Sequence, residues 1–129
     1  METFKTQSMI INPIRESYRG KKMTNLLLVL SKDPYTTETP DLVLDIGLNA
    51  KEKGNDVSLY LIEDGITAAR KSEFGNKLAA AQKKGIKIYA DDKAVLSRSL
   101  TNKLIGGVEI KEIGTLLDYI MEYDRVVWF

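Results

Sequence analysis

Two short apolar stretches decide the fold class of this chain. The first is Asn25-Leu26-Leu27-Leu28-Val29-Leu30, and the second is Asp56-Val57-Ser58-Leu59-Tyr60-Leu61-Ile62. The first is too short for a helix and is bounded by a polar loop, which is typical of a strand buried on both faces of a parallel sheet. The second stretch predicts the next strand. Between them, Thr39 as N-cap and Pro40 begin a helical pattern that Gly54 ends. This order of strand, helix and strand predicts two parallel strands joined by a right-handed crossover.

The same alternation continues to the end of the chain. Residues 76–84 predict a helix, 86–90 a third strand, 108–110 a short fourth strand and 125–129 a fifth strand. The strongest helical pattern consists of apolar residues spaced as on one face of a helix: Ile113, Leu116, Leu117, Ile120 and Met121. The sequence therefore predicts an α/β protein, a three-layer α/β/α sandwich around a mainly parallel five-stranded sheet.

The first 24 residues differ in charge from the remainder. They carry five basic and two acidic residues, a net charge of +3, whereas residues 25–129 carry 14 basic and 16 acidic residues, a net charge of −2. Pro13 and Gly20 interrupt any long helix in this region. We predict an N-terminal extension over residues 1–24, a poorly ordered tail or alternatively a partner-binding arm, followed by one α/β domain over residues 25–129.

The composition excludes several classes of function. The 129 residues include 19 basic and 18 acidic residues, and a net charge of +1 argues against direct nucleic-acid binding. There is no cysteine and no histidine, so disulfides, thiolate metal sites and cysteine nucleophiles are excluded, and we predict no cofactor. No apolar run is long enough to cross a membrane, and the N-terminus lacks the apolar part of a signal peptide. We therefore expect a cytoplasmic protein that does not contact membranes.

Polar residues follow the first three predicted strands, whose carboxyl ends gather at one edge of a parallel sheet. The candidate residues of a cleft at this edge are Ser31, Asp33, Asp64, Gly65, Tyr89 and Asp91. The acidic pairs Glu63-Asp64 and Asp91-Asp92 could bind a divalent cation or supply a general base. The alternative, which we favour, is that Asp91 or Asp92 caps a short helix and that Glu63 is solvated. Asp64-Gly65 predicts a sharp turn that ends the second strand. A helical turn over residues 66–71 is predicted to follow it.

Several stretches resemble one protein family. Glu63-Asp64-Gly65-Ile66-Thr67-Ala68-Ala69 resembles the Q-D-G-V-T-A-A segment of the DsrH/TusB branch of the DsrE/DsrF/DsrH superfamily. Lys87-Ile88-Tyr89-Ala90-Asp91-Asp92 is similar to its K-V-Y-A-L strand, and Leu96-Ser97-Arg98-Ser99-Leu100 to its A-R-G-L helix. Leu30-Ser31-Lys32-Asp33-Pro34-Tyr35 is similar to its S-P-[FWY] loop, and Asp124-Arg125-Val126-Val127-Trp128-Phe129 resembles its closing strand.

The resemblance implies a DsrEFH-like fold and a role in a sulfur relay. Members of this superfamily pass persulfide sulfur towards 2-thiolation of the wobble uridine of tRNA, or serve sulfur oxidation. The position of the family's transferring cysteine reads near Ala90 here. The resemblance therefore implies a non-catalytic, cysteine-free subunit that acts beside cysteine-bearing DsrE- or DsrF-like partners. The alternative is a small-ligand or metal-binding domain that uses the acidic cleft.

Apolar side chains near both ends of the sequence predict an assembly. They are Tyr119, Tyr123, Trp128 and Phe129 near the C-terminus and Met9-Ile10-Ile11 in the extension. Aromatic residues and methionine are enriched at subunit contacts. We expect a homo-oligomer, or a hetero-oligomer with cysteine-bearing subunits, in which residues 9–14 touch a neighbouring subunit. The alternative is that Ile10 and Ile11 fold back on the sheet edge of their own chain and that Trp128 packs in the core.

Overall fold

The computed structural model describes residues 24–129, and the extension that precedes them, including residues 9–14, lies outside the described part. Within residues 24–129 one sheet of five strands is formed, and all of its strand pairs are parallel. The strands are β1 (Asn25–Leu30), β2 (Asp56–Leu61), β3 (Lys87–Asp91), β4 (Glu109–Lys111) and β5 (Arg125–Trp128). Their spatial order is β4-β3-β2-β1-β5. The predicted α/β fold with a five-stranded parallel sheet is confirmed.

The helices follow the strands in strict alternation. They are α1 (Thr39–Glu52), a 3₁₀ helix (Glu63–Ala69), α2 (Glu73–Lys83), α3 (Asp92–Ser97) and α4 (Ile113–Glu122). From β1 to β4 the chain moves in one direction across the sheet, and it then returns to place β5 on the far side of β1. Because crossovers between parallel strands are right-handed, this reversal puts α4 on the opposite face of the sheet from the other helices.

Two separate cores correspond to the two faces. The larger core joins Leu28 and Leu30 of β1 to the buried residues of α1, α2, α3 and the 3₁₀ helix. The smaller core joins Leu27 and Val29 of the same strand to Leu116 of α4 and to a group of tyrosines. Successive residues of β1 thus face opposite sides of the sheet. The four residues from Leu27 to Leu30 are each at most 1% exposed. This burial on both faces explains why the stretch is continuously apolar.

The ends of the helices differ in part from the predictions. The structure places Glu38, not Thr39, at the N-cap of α1, so Pro40 is the second helical residue. Helix α2 begins earlier than predicted, at Glu73, because the Ser72 side chain accepts a hydrogen bond from the Gly75 amide. The added first turn contains Phe74, which is buried in the larger core.

The segment after β2 agrees with the prediction in part. The strand ends before Glu63, as predicted, but the helical turn begins at Glu63 rather than at residue 66, so Glu63, Asp64 and Gly65 are the first residues of a 3₁₀ helix. Gly65 and Ile66, both within this helix, are buried. Glu63 enters the helix with a positive φ of 47°, which a side chain rarely adopts. The strand end is therefore folded back tightly onto the sheet.

Candidate functional site at the carboxyl edge of the sheet

The carboxyl ends of β1, β2 and β3 meet at one edge of the sheet, as parallel strands require. Ser31 follows β1 at this edge, next to the point where the strand order reverses. Its amide and its hydroxyl both donate to the carbonyl oxygen of Phe129, at 2.9 and 2.7 Å. Ser31 therefore ties the end of β1 to the end of β5, and its hydroxyl is already engaged.

Asp33 lies in the loop after β1 and reaches the segment that follows β2. The Thr67 hydroxyl donates a short hydrogen bond to Asp33 Oδ1. The same hydroxyl lies 2.8 Å from the carbonyl oxygen of Asp64. Since a hydroxyl has one proton, it can serve one of these two acceptors at a time. The arrangement fixes the two loops of the predicted cleft against each other.

Asp64 forms an ion pair across the same edge. Arg98 Nη2, just beyond α3, donates to Asp64 Oδ1 at 2.8 Å. The Asp64 side chain is 70% exposed, so solvent screens this pair and its net stabilisation is small. Arg98 Nη1 also lies 3.1 Å from the Ser97 hydroxyl. The pair places one positive and one negative group, both accessible to solvent, where the loops after β2 and β3 meet.

The two carboxylates after β3 have local structural roles. Asp91 is the N-cap of α3, and its Oδ2 accepts a hydrogen bond from the Ala94 amide at 3.0 Å. Asp92 Oδ1 accepts from the Lys93 amide at 2.7 Å. The prediction that one of these two carboxylates caps a short helix is confirmed. Within residues 24–129, no group of three acidic residues is arranged to hold a metal ion.

Tyr89 and Ala90 are neighbours on β3 but lie on opposite faces of the sheet. Ala90 is fully buried in the larger core. Tyr89 belongs to the smaller core, where its ring lies 5.9 Å from that of Tyr60 and 5.1 Å from that of Tyr119, measured between ring centroids. The structure therefore does not bring Tyr89 together with Asp33 and Asp64 in one cleft.

Two tyrosines of the smaller core, Tyr60 and Tyr123, donate hydrogen bonds to neighbouring residues. The Tyr60 hydroxyl donates to the Glu112 carbonyl oxygen at 3.1 Å, and the Tyr123 hydroxyl donates to Ser58 Oγ at 2.8 Å. Burial, followed by the negative charge of Asp91, raises the pKa of Tyr60 to about 12. Burial, followed by a hydrogen bond with Tyr119, also raises the pKa of Tyr89. The raised pKa values mean that Tyr60 and Tyr89 keep their phenolic protons well above physiological pH.

A cavity of about 310 Å³ lies at the other end of the strands. Its wall includes Tyr89, Tyr119 and Tyr123 beneath the end of α4. Its mouth is formed by the amino ends of β1, β2 and β3, at Asn25, Asp56 and Lys87. This cavity is distinct from the carboxyl edge where the sequence placed a cleft.

Three residues that organise the carboxyl edge are absent from the residues predicted for the cleft: Thr67, Arg98 and Tyr35. Thr67 and Arg98 occur in stretches that carry the family resemblance, so those stretches were the available signal. Tyr35 holds the loop after β1 against α2. Its hydroxyl donates to Ser72 Oγ at 2.8 Å and accepts from the Phe74 amide at 3.2 Å. No spacing rule reveals this contact, because its partners lie nearly forty residues away.

The matches with known proteins agree with this geometry. Residues 24–129 match the model of the DsrE/DsrF-like family. Over 112 residues the chain is 29% identical to the uncharacterized protein MK0008 of Methanopyrus kandleri. The aligned region covers 81% of this chain and 93% of that protein.

Solved structures with the same fold come from a bacterium and from Methanobacterium thermoautotrophicum. The Escherichia coli ychN protein superposes with a TM-score of 0.77 at 23% identity, covering 83% of this chain and all of the other. MTH1491 of Methanobacterium thermoautotrophicum superposes with a TM-score of 0.71 at 12% identity, covering 84% of this chain and all of the other. At these identities the likeness establishes the fold alone.

Proposed function

Because the chain belongs to the DsrE/DsrF-like family and contains no cysteine, we propose that it is a non-transferring subunit of a sulfur-relay complex. The absence of cysteine is the observation that carries the proposal. A persulfide is held on a cysteine sulfur, so this chain has no atom on which to carry it. Its part is then to bind and position a cysteine-bearing relative.

The environment of Ala90 supports this role. Ala90 stands near the position where the resemblance places the transferring cysteine, and its side chain is 0% exposed. A sulfur donor would not reach a side chain at this position without opening the fold. The nearby carboxylate of Asp91 is occupied as a helix cap. This end of β3 therefore has a structural rather than a chemical role in the proposal.

The carboxyl edge also offers apolar side chains to a protein partner. Tyr35 is 51% exposed, Leu42 55% and Leu96 71%. Tyr35 lies in the loop after β1, and Leu42 and Leu96 lie in α1 and α3, the helices that follow β1 and β3. Exposed apolar groups at the same edge of the sheet as the Asp64–Arg98 pair suit a protein surface with polar groups at its rim. We propose that a cysteine-bearing DsrE- or DsrF-like subunit docks here, within a hetero-oligomer or beside further copies of this chain.

The proposed complex works in the cytoplasm, on a route towards tRNA wobble-uridine thiolation or sulfur oxidation. Among residues 24–129, no helix has the length and apolar character needed to cross a lipid bilayer. We expect the transferring subunit, not this chain, to contact the acceptor of the sulfur. We expect no direct binding of this chain to nucleic acid.

Co-purification tests the proposal. The full chain is tagged and expressed in its own organism, and bound proteins are identified by mass spectrometry. We expect a cysteine-bearing member of the same family to be recovered in stoichiometric amount. The variant Leu96→Asp, which places a charge on the carboxyl edge, should reduce recovery. Recovery of no cysteine-bearing relative, with wild-type protein that is folded by circular dichroism, would overturn the proposal.

A further inference from the structure

Helix α4 is apolar over a wider arc than the sheet covers. Leu116 faces the sheet and is 2% exposed. Ile113, Leu117 and Met121, at spacings of four residues, are 52%, 61% and 86% exposed. Residues four apart lie on one side of a helix, so these three side chains form a continuous stripe, here termed the α4 flank. A helix that needed only to cover the sheet would be polar at these positions.

The contacts of Tyr119 fix the direction in which the α4 flank faces. Tyr119 contacts Tyr89 of β3, so its side of α4 lies towards β3. Leu117 is two residues earlier, roughly 200° around the helix from Tyr119, which turns it towards β1 and β5. On that side, Trp128 of β5 pairs in register with Val29 of the α4-facing core, and it is 55% exposed. The α4 flank and Trp128 therefore border one apolar surface, here termed the α4–β5 surface.

We expect the α4–β5 surface to be covered by another segment or molecule. Parallel sheets are normally covered on both faces, and within residues 24–129 α4 is the one helix in the core on this face. Contiguous exposed apolar side chains of this extent mark interaction sites. The charges beside the surface specify what kind of partner fits. Residues 112–124 contain four acidic residues and no basic residue: Glu112, Asp118, Glu122 and Asp124.

We propose that residues 9–22 of the same chain occupy the α4–β5 surface. By sequence, this segment contains the apolar run Met9-Ile10-Ile11 followed by a basic stretch. The basic residues are Arg15, Arg19, Lys21 and Lys22, against one acidic residue, Glu16. An apolar run followed by an excess of positive charge complements an apolar stripe that is bordered by carboxylates.

The attachment point and the length of the segment agree with this placement. The described chain begins beside the carboxyl end of α4, where the Asn25 amide donates to Asp124 Oδ2 at 2.9 Å. Asn25 and Glu122 also line the same cavity. From Ile113 to Met121 the α4 flank is only about 12 Å long, at 1.5 Å per residue. The twelve residues between Ile11 and Thr24 can span about 40 Å when extended, so they reach every part of it.

Trp128 makes the proposal testable, because it is the sole tryptophan of the chain. Its fluorescence and its quenching by acrylamide are measured on the full chain and on the double variant Ile10→Asp with Ile11→Asp. The matched control, Thr6→Asp with Ser8→Asp, adds the same charge without removing an apolar side chain. We expect the first variant alone to shift the emission to longer wavelength and to increase quenching. Leu117→Asp, on the surface itself, should have the same effect as the first variant.

Two results would overturn the proposal. One is equal quenching of the wild type and both N-terminal variants, which would mean that these residues do not cover Trp128. The other is protection of Trp128 that is lost on dilution together with a fall in mass measured by light scattering, which would assign the surface to a second copy. Circular dichroism establishes that each variant is folded. These measurements involve no sulfur-relay partner, so their outcome is independent of the proposed function.

Discussion

Gly65 lies against the backbone of Leu30, where the segment after β2 folds back over the end of β1. A Cβ built on Gly65 would stand 2.1 Å from the Leu30 carbonyl oxygen and 2.8 Å from its carbonyl carbon. The Leu30 oxygen also accepts a hydrogen bond from the Ile62 amide, and the Gly65 amide donates to Ile62. Only a residue without a side chain fits here, and this contact allows Asp64 and Thr67 to reach the edge of the site.

Substitution of Gly65 tests this close approach. Gly65→Ala should lower the free energy of unfolding by at least about 2 kcal/mol, because a backbone carbonyl cannot move aside as a flexible side chain can. Gly106→Ala is the matched control, since a Cβ at Gly106 meets nothing within 4 Å. It should change stability by less than about 0.5 kcal/mol. Urea unfolding of both variants provides the measurement, and equal midpoints would refute the steric explanation.

The sequence predicted the sheet better than the site. Apolar runs such as 25–30 identify buried strands because burial on both faces leaves no polar position. Alternation along β3 also places Tyr89 and Ala90 on opposite faces, but it does not say which helix covers which face. Which helix covers which face depends on the crossover from β4 back to β5, which places α4 on the other side of the sheet. The Asp64–Arg98 ion pair depends on the packing of the 3₁₀ helix against α3. The sequence alone therefore shows an acidic and a basic residue but does not predict that they pair.

The cap of α3 provides a second prediction. Asp91→Ala should destabilise the protein by about 1 kcal/mol, because the Ala94 amide loses its side-chain acceptor at the start of a six-residue helix. Asp91→Asn keeps an oxygen acceptor and should retain most of the stability. Thermal unfolding at one buffer composition compares the two variants. If asparagine cost as much as alanine, the role of Asp91 would be electrostatic rather than that of a cap.

The buried Tyr60 predicts a loss of stability at alkaline pH. Its pKa is raised from 10.0 to about 12 in the folded protein, so the folded state keeps a proton that the unfolded chain releases above pH 10. The stabilising contribution is therefore complete below pH 10 and decreases as the pH rises towards 12. Each pH unit in this window costs up to about 1.4 kcal/mol for one group.

Tyr60→Phe removes this titration. It should lower stability at pH 7 by about 1 kcal/mol, through loss of the hydrogen bond to Glu112, but it should also flatten the decline between pH 10 and pH 12. Urea unfolding at several pH values measures both effects. A variant whose stability fell as steeply as that of the wild type would mean that Tyr60 does not resist ionisation in the fold.

The burial of Ala90 predicts how a thiol would behave at that position. Since the chain has no cysteine, Ala90→Cys introduces a single thiol, and Lys93→Cys, two residues after Asp91 at an exposed position, supplies a matched reactive control. A thiol reagent should modify Cys at position 93 rapidly and Cys at position 90 at least about 100-fold more slowly, because reaction there requires opening of the core. In denaturant the two rates should converge. Equal native rates, with unchanged circular dichroism, would place residue 90 at an accessible surface and would remove the structural support for a subunit that cannot carry sulfur at this strand end.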